Sequence, residues 1–164
     1  NGLVLALVEL EWAQHALPPA EVLKRLARPP WTELQGGSDS EWPVYPLWHR
    51  GVALARSGDD AGAVTLLEAA LQSARQVWGD ANPRTALVRL SLIGSRWRLA
   101  GQTPQGRGAI LAALQPTVAG LERGFPADHP AIREARVLLA HIRGAPATEA
   151  DLKPWRDPGQ TLFF

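Results

Sequence analysis

Thiol and thioether chemistry are closed to this chain, which contains no cysteine and no methionine. No disulfide, thiolate metal site or thiol redox motif can be built from it. The ligand and acid–base chemistry that remains rests on four histidines, His15, His49, His129 and His141, and on the carboxylates. No two histidines stand at tight ligand spacing on one helix face, and HExxH is absent. His129 precedes Pro130, where either it or Asp128 caps the helix that follows. The pair Asp59-Asp60 opens a helix at a solvent turn, where nothing raises a carboxyl pKa for acid–base work. GxSxG, GxGxxG and a phosphate-binding glycine loop are missing too, and Gly106-Arg107-Gly108 is only a helix-start fragment. The expectation is a protein that is not an enzyme and holds neither metal nor cofactor.

Recognition chemistry is better supplied. Seven tryptophans stand beside 17 basic residues, of which only Lys24 and Lys153 are lysine, and Trp with Arg dominates binding hot spots. Trp78 and Trp97 fall on apolar helical stripes and are assigned to the core. Trp31, Trp42 and Trp155 lie in Pro-rich, irregular stretches, where packing across the helices and exposure as anchors are both open. The C-terminal run from Trp155 through Pro158-Gly159 to Phe163-Phe164 ends in two aromatics. They either fold back onto their own chain, the favoured course, or dock on a partner such as a second copy.

With 16 acidic residues against 17 basic ones, the chain lacks the basic field that nucleic acid requires. The opening Gly2–Val8 is apolar, but Glu9 and Glu11 end it. It is too short to span a bilayer and has no basic region before it, so a core-facing helix is expected, with no membrane insertion. A start without methionine suggests a processed form or an internal piece. Arginine over lysine, with abundant Ala, Leu, Gly and Pro, suggests a GC-rich bacterial genome. A cytoplasmic location is expected, a periplasmic domain of a membrane-anchored regulator being the alternative.

The elements that must position these side chains come from an internal repeat. Gly58-Asp59-Asp60, Gly101-Gln102-Thr103 and Gly144-Ala145-Pro146 follow one another at separations of 43 residues. Gly51 and Gly94 stand at matching places before the first two, and Ala63 and Gly106 at matching places after them. A mid-helix glycine costs about 1 kcal/mol relative to alanine. Gly51 and Gly94 are therefore expected to admit a second helix at close range, with Ala63 and Gly106 as the facing small surface. Gly58 and Gly101 are expected as left-handed helix caps. Asp59 or Asp60, and Thr103 with Pro104, then open the next helices. Apolar residues recur at three and four over 60–78, 84–100 and 105–122, and Asn82-Pro83 and His129-Pro130 are start signals. No segment alternates long enough for a strand, so the expected class is all-α, built of antiparallel helix pairs.

This pattern resembles the tetratricopeptide repeat (TPR). Leu47, Gly51, Leu54, Ala63, Leu67 and Ala70 match its spacing in one repeat; Leu90, Ile93, Gly94, Trp97, Gly106, Ile110 and Ala113 match it in the next. The long period, with Gly79–Pro83 and Pro126–Pro130 between repeats, is similar to the 42-residue kinesin-light-chain variant. The resemblance implies a right-handed solenoid of about 3 to 3.5 repeats that binds a protein or peptide partner. It covers 44–144. Residues 1–43 then hold a degenerate repeat (Ala20 lies 43 before Ala63) and a Pro/Gly-rich loop, and 145–164 a capping turn and tail. In the third repeat Val137 and Glu149 replace the small residues, and Pro154 is expected to cut the second helix short. Bacterial relatives of this type are joined to serine/threonine kinases or DNA-binding regulators, which implies a regulatory setting.

In such repeats the first helices line a concave groove. Carried onto this chain, the groove positions are Tyr45, Trp48, Val52 and Arg56, then Ser91, Ser95 and Arg98, then Glu134, Leu138 and His141. The Lys and Asn that clamp a terminal carboxylate in some relatives are absent. Aromatics with arginines instead suit a segment carrying an apolar side chain and an acidic group. Tyr45 and Trp48 packing against the 29–43 loop, and so filling the groove themselves, is the competing expectation. Self-association through the C-terminal aromatics is the alternative to peptide binding.

Overall fold

The computed structural model describes residues 2–32 and 43–158. Eight α-helices, and no strand, occur among the described residues: α1 (Gly2–Ala16), α2 (Pro19–Leu26), α3 (Val44–Arg56), α4 (Asp60–Trp78), α5 (Pro83–Ala100), α6 (Pro104–Glu122), α7 (Pro130–Ile142) and α8 (Glu149–Arg156). Each packs chiefly against its neighbours in the chain, most extensively α3 with α4, α4 with α5 and α5 with α6. Short turns between packed neighbours give helical hairpins.

Local chemistry sets the helix limits. Asp59, Asn82, Thr103 and His129 cap α4 to α7 by accepting the N–H of Gly62, Arg84, Gly106 and Ala131, satisfying donors that a helix start leaves without partners. Thr148 and Asp151 form a reciprocal capping box at α8. Gly58 and Gly144 end helices in the left-handed region, at φ of 90° and 97°. Gly101 departs from the cap expected of it. Its φ is −64°, and a Cβ there would come within 2.3 Å of the Trp97 ring, so close packing of the indole demands the glycine.

The two mid-helix glycines also differ from each other. A Cβ on Gly51 would meet Leu67 Cγ at 2.6 Å and the Ala63 carbonyl at 3.5 Å, which is the expected approach of α4 to α3. Gly94 does not face Gly106. Its nearest neighbours would be Arg98 Nη1 at 3.4 Å and Trp155 Cζ3 at 3.9 Å, so it forms a notch towards α8. Gly106 is needed instead against the Ala100 backbone, whose carbonyl oxygen a Cβ would meet at 2.0 Å. The repeat therefore conserves small residues at fixed spacing while the third helix pair changes what one of them touches.

Three clusters make the core. Leu10, Ala13, Val22, Leu26 and Trp31 join Ala53 at the N-terminal end, so Trp31 is a core residue. Val44, Trp48, Val52, Leu67 and Leu71 lead the middle cluster. Leu90, Ile93, Trp97, Leu114, Leu138, Leu152 and Trp155 lead the third. Trp155 is buried rather than exposed, and Pro154 does not cut α8, which runs to Arg156 with the proline inside it. The opening segment is only partly core-facing: Leu10 and Ala13 are buried, but Val4, Leu5, Val8 and Trp12 are each more than half exposed. Trp42, the remainder of the loop at 33–42 and the aromatics Phe163-Phe164 lie outside the described residues. No helix among the described residues is long and apolar enough to cross a membrane.

Gly51→Ala is expected to lower stability by about 1–3 kcal/mol through overpacking against Leu67. Gly94→Ala makes only ordinary contacts, so helix propensity should leave it neutral or up to about 1 kcal/mol more stable. Denaturant midpoints of the two variants measure the contrast, and equal destabilisation would contradict it.

Candidate functional site

Positions 48, 91 and 134 fall at the repeat separation on α3, α5 and α7, and the first two meet. The Trp48 indole N–H donates to Ser91 Oγ at 2.8 Å, and Ser91 donates to the Leu87 carbonyl at 3.2 Å. Val52, buried in the middle cluster, lines with Ser91, Gly94 and Arg98 a narrow cleft that Pro154, Trp155 and Pro158 border from the other side. Trp48, Val52, Ser91 and Arg98 therefore gather along one face.

Arg98 organises that face. Its Nε and Nη2 clasp the Asp60 carboxylate at 2.7–3.0 Å, a paired geometry that resists rotation. Nη2 also donates to Ser95 Oγ at 3.1 Å, and Nη1 reaches the Trp155 carbonyl at 3.4 Å. Arg98 thus joins α4, α5 and α8, and Ser95 is fully buried beneath it.

The remaining groove positions serve elsewhere. Tyr45 stands edge-on to Trp78 with ring centroids 5.7 Å apart, and its hydroxyl accepts from Arg84. Arg56 turns to α1, donating to the Gln14 carbonyl and, at 3.3 Å, to Leu17 O; those carbonyls at a helix end need donors. Leu138 is fully buried in the third cluster. His141 is half-buried, edge-on to Trp97 at 6.0 Å.

Glu134 is the unusual member. It is buried, and neither carboxylate oxygen has a hydrogen-bond partner among the described residues. Burial pushes its pKa up to about 7, against a smaller opposing influence of Arg133. Its main-chain carbonyl accepts the Trp155 indole N–H at 3.2 Å. Trp155 is therefore held at both ends: its N–H on α7 and its carbonyl on Arg98 of α5.

Residues that the pattern did not assign to the groove complete the site. Asp60 was one of two candidate caps, yet it is the Arg98 partner. Trp155 and Leu152 seat α8; the signal for them was the capping box Thr148-x-x-Asp151 followed by apolar residues three apart. A second unassigned group lies between α1 and α3. His49 is buried, its carbonyl takes the Gln14 amide at 2.7 Å, and Nδ1 has no partner among the described residues. Burial, with the nearby His15, lowers its pKa to about 4. Among the described residues, no three His, Asp or Glu gather as a metal ion would need.

His49 and Glu134 act on stability in opposite directions. The His49 contribution is fully present above its usual pKa of 6.5 and is lost as pH falls towards 4. The Glu134 contribution is fully present below 4.5 and is lost as pH rises through about 7. Each amounts to roughly 3 kcal/mol at full extent. They should cancel between about pH 4.5 and 6.5. Glu134→Gln should leave stability climbing through that window and level above it, measured by denaturant midpoints across the range. A variant curve parallel to the wild type would contradict the assignment.

No family model, curated protein or solved structure matches this chain.

Proposed function

We propose that the chain is a polypeptide-binding module of TPR type, a right-handed solenoid of helix pairs. Its concave face, carried by α3, α5 and α7, receives a segment of another protein. The observation that carries this is the seat of α8. A short helix is seated against α5 and α7, anchored by a tryptophan in the Gly94 notch and by two hydrogen bonds. A surface that accepts a helix of its own chain by an aromatic anchor has the chemistry of helix-in-groove recognition. The Trp48–Ser91 bond across one repeat separation, and the close approach of α4 to α3 at Gly51, support the repeat geometry. By its resemblance to bacterial members linked to kinases and regulators, the module serves as a scaffold or sensor in a regulatory protein, and a cytoplasmic location suits that role.

A second reading, self-association, is favoured by one observation: Val4, Leu5, Val8 and Trp12 form an exposed apolar stripe on α1, of the kind that marks contact surfaces. Substituting Leu5 and Trp12 by glutamate and comparing sedimentation with the wild type decides it. An unchanged oligomeric state sinks this reading.

For the principal reading, a displayed library of helical peptides is panned against the wild-type chain. Selected peptides should lose at least about tenfold in affinity on a Gly94→Leu chain, about 1.4 kcal/mol, because the added side chain fills the notch. Equal binding to both chains, with matched melting curves, would move the binding surface elsewhere.

A further inference from the structure

Few side chains hold α8 in place. Leu152 and Trp155 are its buried residues, and the connection from α7, residues 143–148, is exposed along almost its whole length. Beside Trp155 the cleft continues past Ser91 and Gly94. The same Trp155 makes its indole bond to the carbonyl of Glu134, the residue whose carboxylate is buried with no partner among the described residues. A buried carboxylate without a donor is destabilising, and α8 does nothing to relieve it. Glu134, one repeat separation beyond Ser91, therefore holds an acid that no described residue matches.

We propose that α8 is a resident occupant of the concave face, displaced by a partner helix that places an aromatic residue in the Gly94 notch and a lysine or arginine against the Glu134 carboxylate. This rests on the polypeptide-binding reading above and deepens it. Tethering gives α8 an effective concentration in the millimolar range, so a segment that merely copies its contacts competes poorly. A partner that also supplies the missing cation gains a charge-assisted hydrogen bond that α8 lacks. The groove thus selects for basic character at one place, while Arg98, already committed to Asp60, holds the backbone of whatever occupies the seat of Trp155. This corrects the expectation of an acidic partner drawn from the two arginines: Arg56 serves α1, and Arg98 is already paired.

The test uses full-length chains and a synthetic peptide spanning Thr148–Pro158, with its set of single-arginine replacements. A Trp155→Ala chain, checked for native helicity and cooperative melting, should bind the unmodified peptide at least about tenfold more tightly than the wild type does, and a peptide with Trp155→Ala should not bind. At least one arginine peptide should bind the wild-type chain more tightly than the unmodified peptide, and the gain should vanish on a Glu134→Gln chain, which keeps the fold. Equal affinity of wild type and Trp155→Ala for the peptide would overturn the resident-occupant proposal. So would a cooperative Trp155→Ala chain that binds no peptide. An arginine gain that survives Glu134→Gln, or no gain anywhere in the set, would overturn the cation site. Library peptides that still bind the wild type in the face of such results would leave the polypeptide-binding reading standing; absence of binding by every chain would remove both.

Discussion

Eleven of the eighteen residues of α5 are buried, among them Thr85, Arg89, Ser91 and Ser95, so its polar side chains must find partners inside the fold. A buried polar group without one costs about 1–3 kcal/mol, and the surroundings of α5 are arranged accordingly. Thr85 donates to the Gly79 carbonyl at 2.8 Å, which fixes the turn from α4. Arg89 reaches Asp80 at 2.6 Å, with Arg75 on the same carboxylate, and the hydrogen bond from Arg75 leads in holding that carboxyl below its ordinary pKa. Ser91 meets Trp48 of α3, and Ser95 meets Arg98. One central helix thus dictates the turn before it, the register of α3 and the position of Asp60 on α4.

Among the described residues, the two buried side chains left with unpartnered atoms lie towards either end of the stack. His49 sits against α1, where the Gln14 amide serves its carbonyl but not its ring. Glu134 sits on α7, where its carbonyl is served but its carboxylate is not. Burial, with no partner to offset it, displaces the pKa of each towards its neutral form. His49 lies in a seam closed by hydrophobic contact. Glu134 lies on α7, and its main-chain carbonyl takes the Trp155 indole of α8.

The packing of α3 and α5 against their neighbours owes its form to two absent side chains. At Gly51 the missing Cβ brings α4 onto α3 and closes the first helix pair. At Gly94 the same absence, one repeat on, leaves room that α6 does not fill, and an indole from α8 stands there instead. The last helix has eight residues, where α4 and α6 have nineteen, and that length is enough to bring Leu152 and Trp155 into the third core cluster.

Much of the fold was legible because it is local. Helix existence, the caps Asn82 and Thr103, the paired cap candidates Asp59-Asp60 and Asp128-His129, and the recurrence of core stripes all follow from spacing within single turns and helices. Burial from several directions at once was not legible, since it depends on which helices arrive. Gly94 and Gly106 occupy equivalent places to Gly51 and Ala63, yet only the arrival of α8 decides that Gly94 faces an indole. Arg56 and Arg98 both read as groove cations, and only packing reveals that one caps the end of α1 while the other clasps Asp60. The sequence by itself determined an all-α chain of capped, amphipathic helices with a repeating set of small residues. The tertiary structure alone decided which face is filled, by which side chain, and which buried carboxylate is left unmatched, because desolvation and pairing are properties of neighbours distant in the chain.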